Sequence, residues 1–310
     1  MRLLTILCLV LLVSCSQEPD VFTGPFITRD DITYDQNTNE PVTGIVDEFH
    51  EDGQLKSKEN YRDGNPDGLS EGFHENGQLS FRSNFREGKL DGLYEMYYEN
   101  GQLDIKENYK DGKPDGLYED FHENGQLNIK GNYKDGKKVG HFEMYYENGQ
   151  LEIRGNYKDG EKDGLWETYY EDGKLQKKET YKDGELHGPS ESFHENGQLH
   201  VSGNYKDGTE DGLFKMFYKD GQLEARVNFK DGMEDGLWEK FYDNGQLNMK
   251  VYNTDGKRHG LVEFFHENGQ GKIRANYKDG ELNGLWESFD GEGNLTKTQE
   301  YKNGDLIESD

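Results

Sequence analysis

Glycine recurs every 24 residues in three separate columns, and no other feature constrains the fold of this chain so tightly. One column runs from Gly53 to Gly293, a second from Gly64 to Gly304 and a third from Gly44 to Gly284, without insertion or deletion. These columns hold 33 of the 40 glycines, a spacing that chance does not produce. A fixed period of this length marks an architecture in which each repeat is one supersecondary unit that buries its apolar face against its neighbours.

Position 1 is taken here as the third-column glycine, which gives eleven tandem repeats over residues 44–310. Positions 2–7 carry Leu, aromatics and Glu, a strand composition. Positions 8–11, as in Glu99-Asn100-Gly101-Gln102, set Asn-Gly or Asp-Gly between two such runs, which predicts a hairpin with a two-residue type I′ turn. Ten repeats keep Asn or Asp at position 9, and Glu292 is the exception. Positions 12–18 alternate, as in Leu103-Asp104-Ile105-Lys106-Glu107-Asn108-Tyr109, and read as a half-buried strand. A second Asp-Gly, as in Lys110-Asp111-Gly112, begins a slightly longer turn into the next repeat. No segment shows a 3.6-residue apolar period. The expected fold is all-β, an elongated array of tandem antiparallel β-hairpins. Twenty-two strands spaced ~4.8 Å apart would run on the order of 100 Å.

Counting outward from a two-residue turn at positions 9 and 10 pairs position 4 with 15 and position 1 with 18. Position 4 is acidic in ten repeats and position 15 basic in nine, so an acid should meet a base across most hairpins. Lys215 is the misfit, since it would oppose Arg226. The position 18 ring is expected to cover the bare position 1 glycine. Positions 3, 5, 7, 12, 14, 16 and 18 should share one face, and positions 2, 4, 6, 13, 15 and 17 the other. Position 6 is aromatic in every repeat: Phe49, Phe73, Tyr97, Phe121, Tyr145, Tyr169, Phe193, Phe217, Phe241, Phe265 and Phe289. That row is the candidate binding surface. The plain alternative is that these rings are core between curved faces of the sheet.

Charge and composition narrow the function classes. A net charge of −27 with 31% hydrophobic residues leaves no material for a thick core, and it would repel nucleic acid and anionic headgroups. The 20 Tyr and 16 Phe argue against a disordered acidic chain. His50, His74, His122, His194 and His266 share position 7, but like positions in adjacent repeats lie about 10 Å apart. They read as alternatives to Tyr98, Tyr146 and Tyr170, not as metal ligands. The acidic turns lack the spacing of known calcium loops. No catalytic motif occurs, so neither an enzyme, nor a metal site, nor a cofactor is expected.

Residues 1–14 set a further expectation. One positive charge, Arg2, precedes an apolar run from Leu3 to Val13, which closes as Leu12-Val13-Ser14-Cys15. A run this short cannot span a bilayer as a helix and reads as a secretory signal. Its end resembles a lipoprotein cleavage box, which implies acylation of Cys15 and a membrane attachment through lipid. Residues 15–43 are then a lipidated linker and N-terminal cap, with capping expected from Asp30 to Val46 and again from Leu306 to Asp310. By the family rule for such lipoproteins, Ser16 implies the outer membrane of the cell envelope.

The repeat itself, G-L-W-E-x-Y-Y-E-N-G-Q-L…N-Y-K-D-G-K-x-D-G, resembles the bacterial variant of the MORN repeat over Gly44 to Gly304. Departures at Pro189, Tyr252-Asn253 and Gly271 bear on local packing. Proteins of that kind often carry the label of YwqK-type antitoxins of toxin–antitoxin systems. With the N-terminal signal and the absence of catalytic motifs, the expectation is a lipid-anchored, non-enzymatic protein-interaction scaffold, for which the resemblance implies the antitoxin role, and the acid-flanked aromatics suggest a basic protein partner. The alternative is an envelope glycan-binding or structural spacer protein whose rings stack on sugars.

Overall fold

The computed structural model describes residues 19–309. Cys15 and the expected signal lie outside the described residues. The described residues form 28 strands and no helix. They divide into two compact portions, one up to Leu103 with Asn108–Lys113, the other Asp104–Glu107 with Pro114 onward.

In the first portion, strands Gly44–Phe49, Leu55–Arg62, Asn65–Phe73, Leu79–Arg86 and Lys89–Tyr97 pair antiparallel in chain order. The outer edge of Gly44–Phe49 is covered by Val21–Phe22, which runs parallel to it. A small hairpin of Phe26–Arg29 and Ile32–Asp35 adds to this cover. Thr33 donates its backbone N–H to Gly64 O at 2.8 Å, and Gly64 donates to Val42 O at 2.8 Å, leaving Val42 only 1% exposed. Cover thus starts at Val21, upstream of the Asp30 expected from sequence. Occupying the edge in this way removes a template for strand addition.

In the second portion the same hairpin repeats down to Asp305–Ser309. Strands Lys137–Tyr145, Leu151–Lys158 and Glu161–Tyr169 serve as the type. Gly140 pairs with Tyr157 and Glu143 with Arg154, so positions 1 and 4 face positions 18 and 15 as counted.

The turn between them is not the one counted from. Tyr146 donates to Gln150 O at 2.9 Å, and Gly149 donates back to Tyr146 O at 2.8 Å. Gly149 alone has positive φ, at 80°, within this loop. This is a three-residue connection with a glycine bulge, not a type I′ turn. It pairs Tyr145 with Leu151 and leaves one extra residue in the return strand, where the register shifts back. The bulge carries position 12 to the face of position 6 and position 13 to the face of position 5, the reverse of the sequence expectation, because a one-residue slip inverts side-chain sides. Asn128 accordingly donates to Asp120 at 2.8 Å, linking positions 13 and 5. The type I′ turn lies at the other end, where Asp159 (φ 54°) and Gly160 (φ 96°) connect Lys158 to its partner Glu161.

Position 1 also departs from expectation. Gly140 (φ 67°) opens a bulge in which residues 140–142 stand opposite Gly131. The left-handed backbone, and not a covering ring, is what requires glycine there. Ring cover falls on position 16 instead. A Cβ on Gly155 would collide with Trp166, and one on Gly203 with Phe214.

In the second portion the core is a layer of rings lying along the strands. Phe142 meets Tyr157 edge-on at 5.4 Å, and Tyr157 meets Trp166 at 5.0 Å. Phe142, Trp166 and Phe214 are buried at position 3, as are Val46 and Val262 in their repeats. Tyr157 holds its proton more tightly than a free phenol because it is desolvated among these rings.

Candidate interaction surface

The face built from positions 2, 4, 6, 12 and 15 collects the sequence-predicted residues. Ten of the eleven position 6 rings are half-buried, and Phe49 is 51% exposed. Where position 6 is tyrosine, its hydroxyl donates to the position 4 carboxylate two residues back. Tyr97 reaches Glu95 at 3.0 Å, Tyr145 reaches Glu143 at 2.8 Å and Tyr169 reaches Glu167 at 3.2 Å. Burial, reinforced by Glu143, pushes the Tyr145 phenol up to about 12. Burial also acts to raise Glu143, but hydrogen bonds from Tyr145 and His141 outweigh it and hold the carboxyl below its usual range.

Most position 15 bases stand between two position 4 acids, one from their own repeat and one from the next. Arg154, for example, pairs with Glu143 on one side and Glu167 on the other. The side chains choose between them. Arg82 takes Glu71 at 2.9 Å and Lys130 takes Glu119 at 3.1 Å, both within the repeat, whereas Arg154 takes Glu167 of the next repeat at 2.5 Å. The misfit is settled by the same freedom, since Arg226 turns from Lys215 to Glu239. Asp47, a methylene shorter than the glutamates, leaves its Oδ1 without a hydrogen-bond partner. Exposed pairs of this kind contribute ~0.2–1 kcal/mol each, so the row keeps the face self-neutralised more than it holds the fold together.

Sequence reasoning missed two flanks. Five of the eight position 2 leucines are exposed beside the ion row, among them Leu69 at 38%, Leu165 at 42%, Leu213 at 45% and Leu285 at 47%. Their alternation with position 3 was the available signal. On the other flank, two residues beyond the rings, position 8 is acidic in nine repeats and exposed. Phe49 lines a shallow depression with Glu51 and Glu75, and the position 7 rings of Tyr146 and Tyr170 line another with Glu171, Glu195 and Lys174.

The position 7 side chains are structural bridges. His122 Nε2 bonds Tyr145 O at 2.9 Å, and Tyr146 and Tyr170 hydroxyls donate to Tyr169 O and Phe193 O at 2.7 and 2.8 Å. His and Tyr interchange because either puts a donor on the same carbonyl of the next repeat. Among the described residues, no group of three His, Cys, Asp or Glu is placed to hold a metal ion.

No curated protein matches this chain. Among solved structures, the crystal structure of TcdB2-TccC3 aligns at TM-score 0.20 and 13% identity, covering 87% of this chain and 18% of that one. The chain therefore spans under a fifth of that relative. Choline binding protein F from Streptococcus pneumoniae aligns at TM-score 0.19 and 14% identity, covering 93% of this chain and 100% of that one. Neither likeness bears on function at these TM-scores. The family pattern described as MORN repeat variant matches eleven segments at the observed step, from 43–63, 66–87 and 90–111 through to 282–303. With the tandem hairpins in view, the chain belongs to the MORN repeat variant family.

Proposed function

We propose that this chain is a non-enzymatic protein-interaction scaffold whose position 2, 6 and 12 face takes a basic protein partner. The observation that carries the reading is the meeting of the position 6 ring of Phe49 with the position 8 carboxylates of Glu51 and Glu75 in one depression. Rings supply desolvated contact area, and carboxylates outside the ion row supply steering and orientation toward positive charge. In the same reading Cys15 is acylated and holds the array in the cell envelope, at the outer membrane, since two or three acyl chains give stable attachment. The antitoxin role then takes the form of this face occupying a basic toxin. The sugar-stacking alternative is weakened because Arg154 and Arg274 lie 5.6 Å over Tyr169 and Phe289 and cover faces a sugar would need.

The test is affinity capture from the detergent-solubilised envelope beside a Cys15→Ala control, followed by a salt series on any partner recovered. One stoichiometric partner released by rising salt, and lost on Glu147→Lys/Glu171→Lys/Glu195→Lys, supports the reading. Capture that survives high salt unchanged removes its electrostatic part. Recovery of no protein above the control favours the glycan or spacer role.

A further inference from the structure

Position 23 of each repeat stands across the ladder from the position 18 ring, as Lys162 does from Tyr157 and Glu210 from Tyr205. It precedes the position 3 ring of the following repeat by four residues. Where position 23 is lysine, its ammonium lies over the position 3 and position 18 rings of that following repeat. Lys138 Nζ is 5.2 Å from the Phe142 centroid and 5.1 Å from that of Tyr157. Lys162 Nζ is 4.4 Å from Trp166 and 4.7 Å from Tyr181. The Arg258 guanidinium repeats the arrangement 5.5 Å over Tyr277. The fold thus builds an ammonium seat at this place in the repeat, because the ring faces carry negative quadrupole density.

Repeat 8 has the same rings without the cation. Phe214 meets Phe229 edge-on at 5.2 Å and 76°, matching Phe142 and Tyr157 at 5.4 Å and 90°. Tyr205 adds a third ring 5.4 Å from Phe214. The residue at position 23 is Glu210, whose charge has the wrong sign for a ring face. Glu234, one repeat later, is not a second case: position 18 there is Asn253, which donates to the Glu234 carboxylate at 2.6 Å. Phe214 is 5% exposed, as buried without a lysine as Phe142 and Trp166 are beneath theirs, so it forms the floor of this place and offers no open face. Phe229 and Tyr205 are half-buried and leave an approach. Burial, and after it the Glu210 carboxylate, raise the Tyr205 phenol.

We propose that Phe214, Phe229, Tyr205 and Glu210 form a seat for an alkylammonium cation supplied from outside the chain. The accessible surfaces of Phe229 and Tyr205 take the cation above Phe214 and Glu210 supplies the counter-charge, so the ligand class is a lysine side chain or a quaternary ammonium group. The seat lies on the side of the sheet opposite the position 6 row and is independent of the partner reading above.

The experiment titrates the full chain in 150 mM salt with tetramethylammonium and, separately, with Nα-acetyl-lysine methylamide, while the probe's own proton signals are followed by NMR. A seat of aromatic faces shifts those signals upfield and saturably, and it leaves the neutral analogue 3,3-dimethylbutanol unmoved. The stronger-binding probe assigns the source of the ammonium. Glu210→Lys copies repeats 4 and 5, so it should fold as the parent does and weaken binding at least tenfold. Glu210→Gln keeps the size and should weaken it several-fold. Lys162→Glu should create a second seat at Trp166 and Tyr181, read as doubled stoichiometry and a change in tryptophan fluorescence. Absence of a saturable shift in the parent, equal response to the neutral analogue, or unchanged binding by Glu210→Lys would each overturn the proposal. Failure of Lys162→Glu to gain a site would overturn the position 23 rule from which the seat is read.

Discussion

The two turns of each repeat carry nearly the same dipeptide and take different conformations. Asn148-Gly149 belongs to a three-residue loop in which only the glycine has positive φ, whereas both Asp159 (φ 54°) and Gly160 (φ 96°) are left-handed. The difference comes from what each polar side chain bonds. Asn148 Oδ1 accepts the backbone N–H of Gln150 at 2.9 Å, and its Nδ2 donates to Glu171 O of the next repeat at 3.2 Å. Asp159 sits at the end of a ladder that runs paired up to Lys158 and Glu161, which leaves two residues to reverse the chain. An Asn-Gly or Asp-Gly pair therefore marks a turn, while the bonds offered by neighbouring repeats and the length of the ladder choose its type.

Proline should separate the turns most sharply. Asp159→Pro forces φ near −65° where the chain needs about +54°, and we expect a loss of ~3 kcal/mol or more. Glu147→Pro occupies the second residue of a type I turn, which proline suits, and should stay within ~1 kcal/mol of the parent. Thermal melts of the pair decide this, and equal losses would refute the assignment of turn types. A smaller contrast follows from glycine. Asn148→Gly removes both hydrogen bonds and should cost ~1–2 kcal/mol, whereas Asp159→Gly relieves a left-handed residue and should cost less than ~0.5 kcal/mol. Denaturant midpoints would show whether the order reverses.

The smallest effect concerns pH. Asp172, at the Asn position of its loop, is held below its ordinary value of 3.8 by the Lys174 side chain and then by the Lys174 backbone N–H. A depressed carboxylate contributes stability above its unfolded pKa and loses it as pH falls through the folded one. The carboxyl signal of Asp172 should therefore titrate with a midpoint below 3.8, and Lys174→Ala should move that midpoint upward.

Much of the fold was legible in the sequence, and the reasons are local. The glycine columns gave the repeat, the alternation gave the strands, and the acid and base columns gave the pairing of Glu143 with Arg154. That pairing survived a wrong turn because the three-residue loop and the bulge behind it each shift the register by one, in opposite senses. Where only one shift had acted, at positions 12 and 13, the assigned faces were exchanged. Within each hairpin the position 6 ring lies on the side of position 4, as the alternation of the strand requires. Its exposed leucine and glutamate flanks were missed because an exposed Leu69 or Leu165 looks in sequence like any strand leucine.

The sequence by itself determined the repeat length, the all-β class, the family and the paired charge columns, since each depends on contacts within one hairpin. Tertiary structure decided the turn types, the side taken by positions 12 and 13, the choice of Glu167 or Glu239 by Arg154 and Arg226, and the rings that close over Gly155 and Gly203. These depend on the next repeat as much as on their own. A side chain placed between two near-equivalent partners is assigned by packing, and a 24-residue pattern read one repeat at a time does not contain that packing.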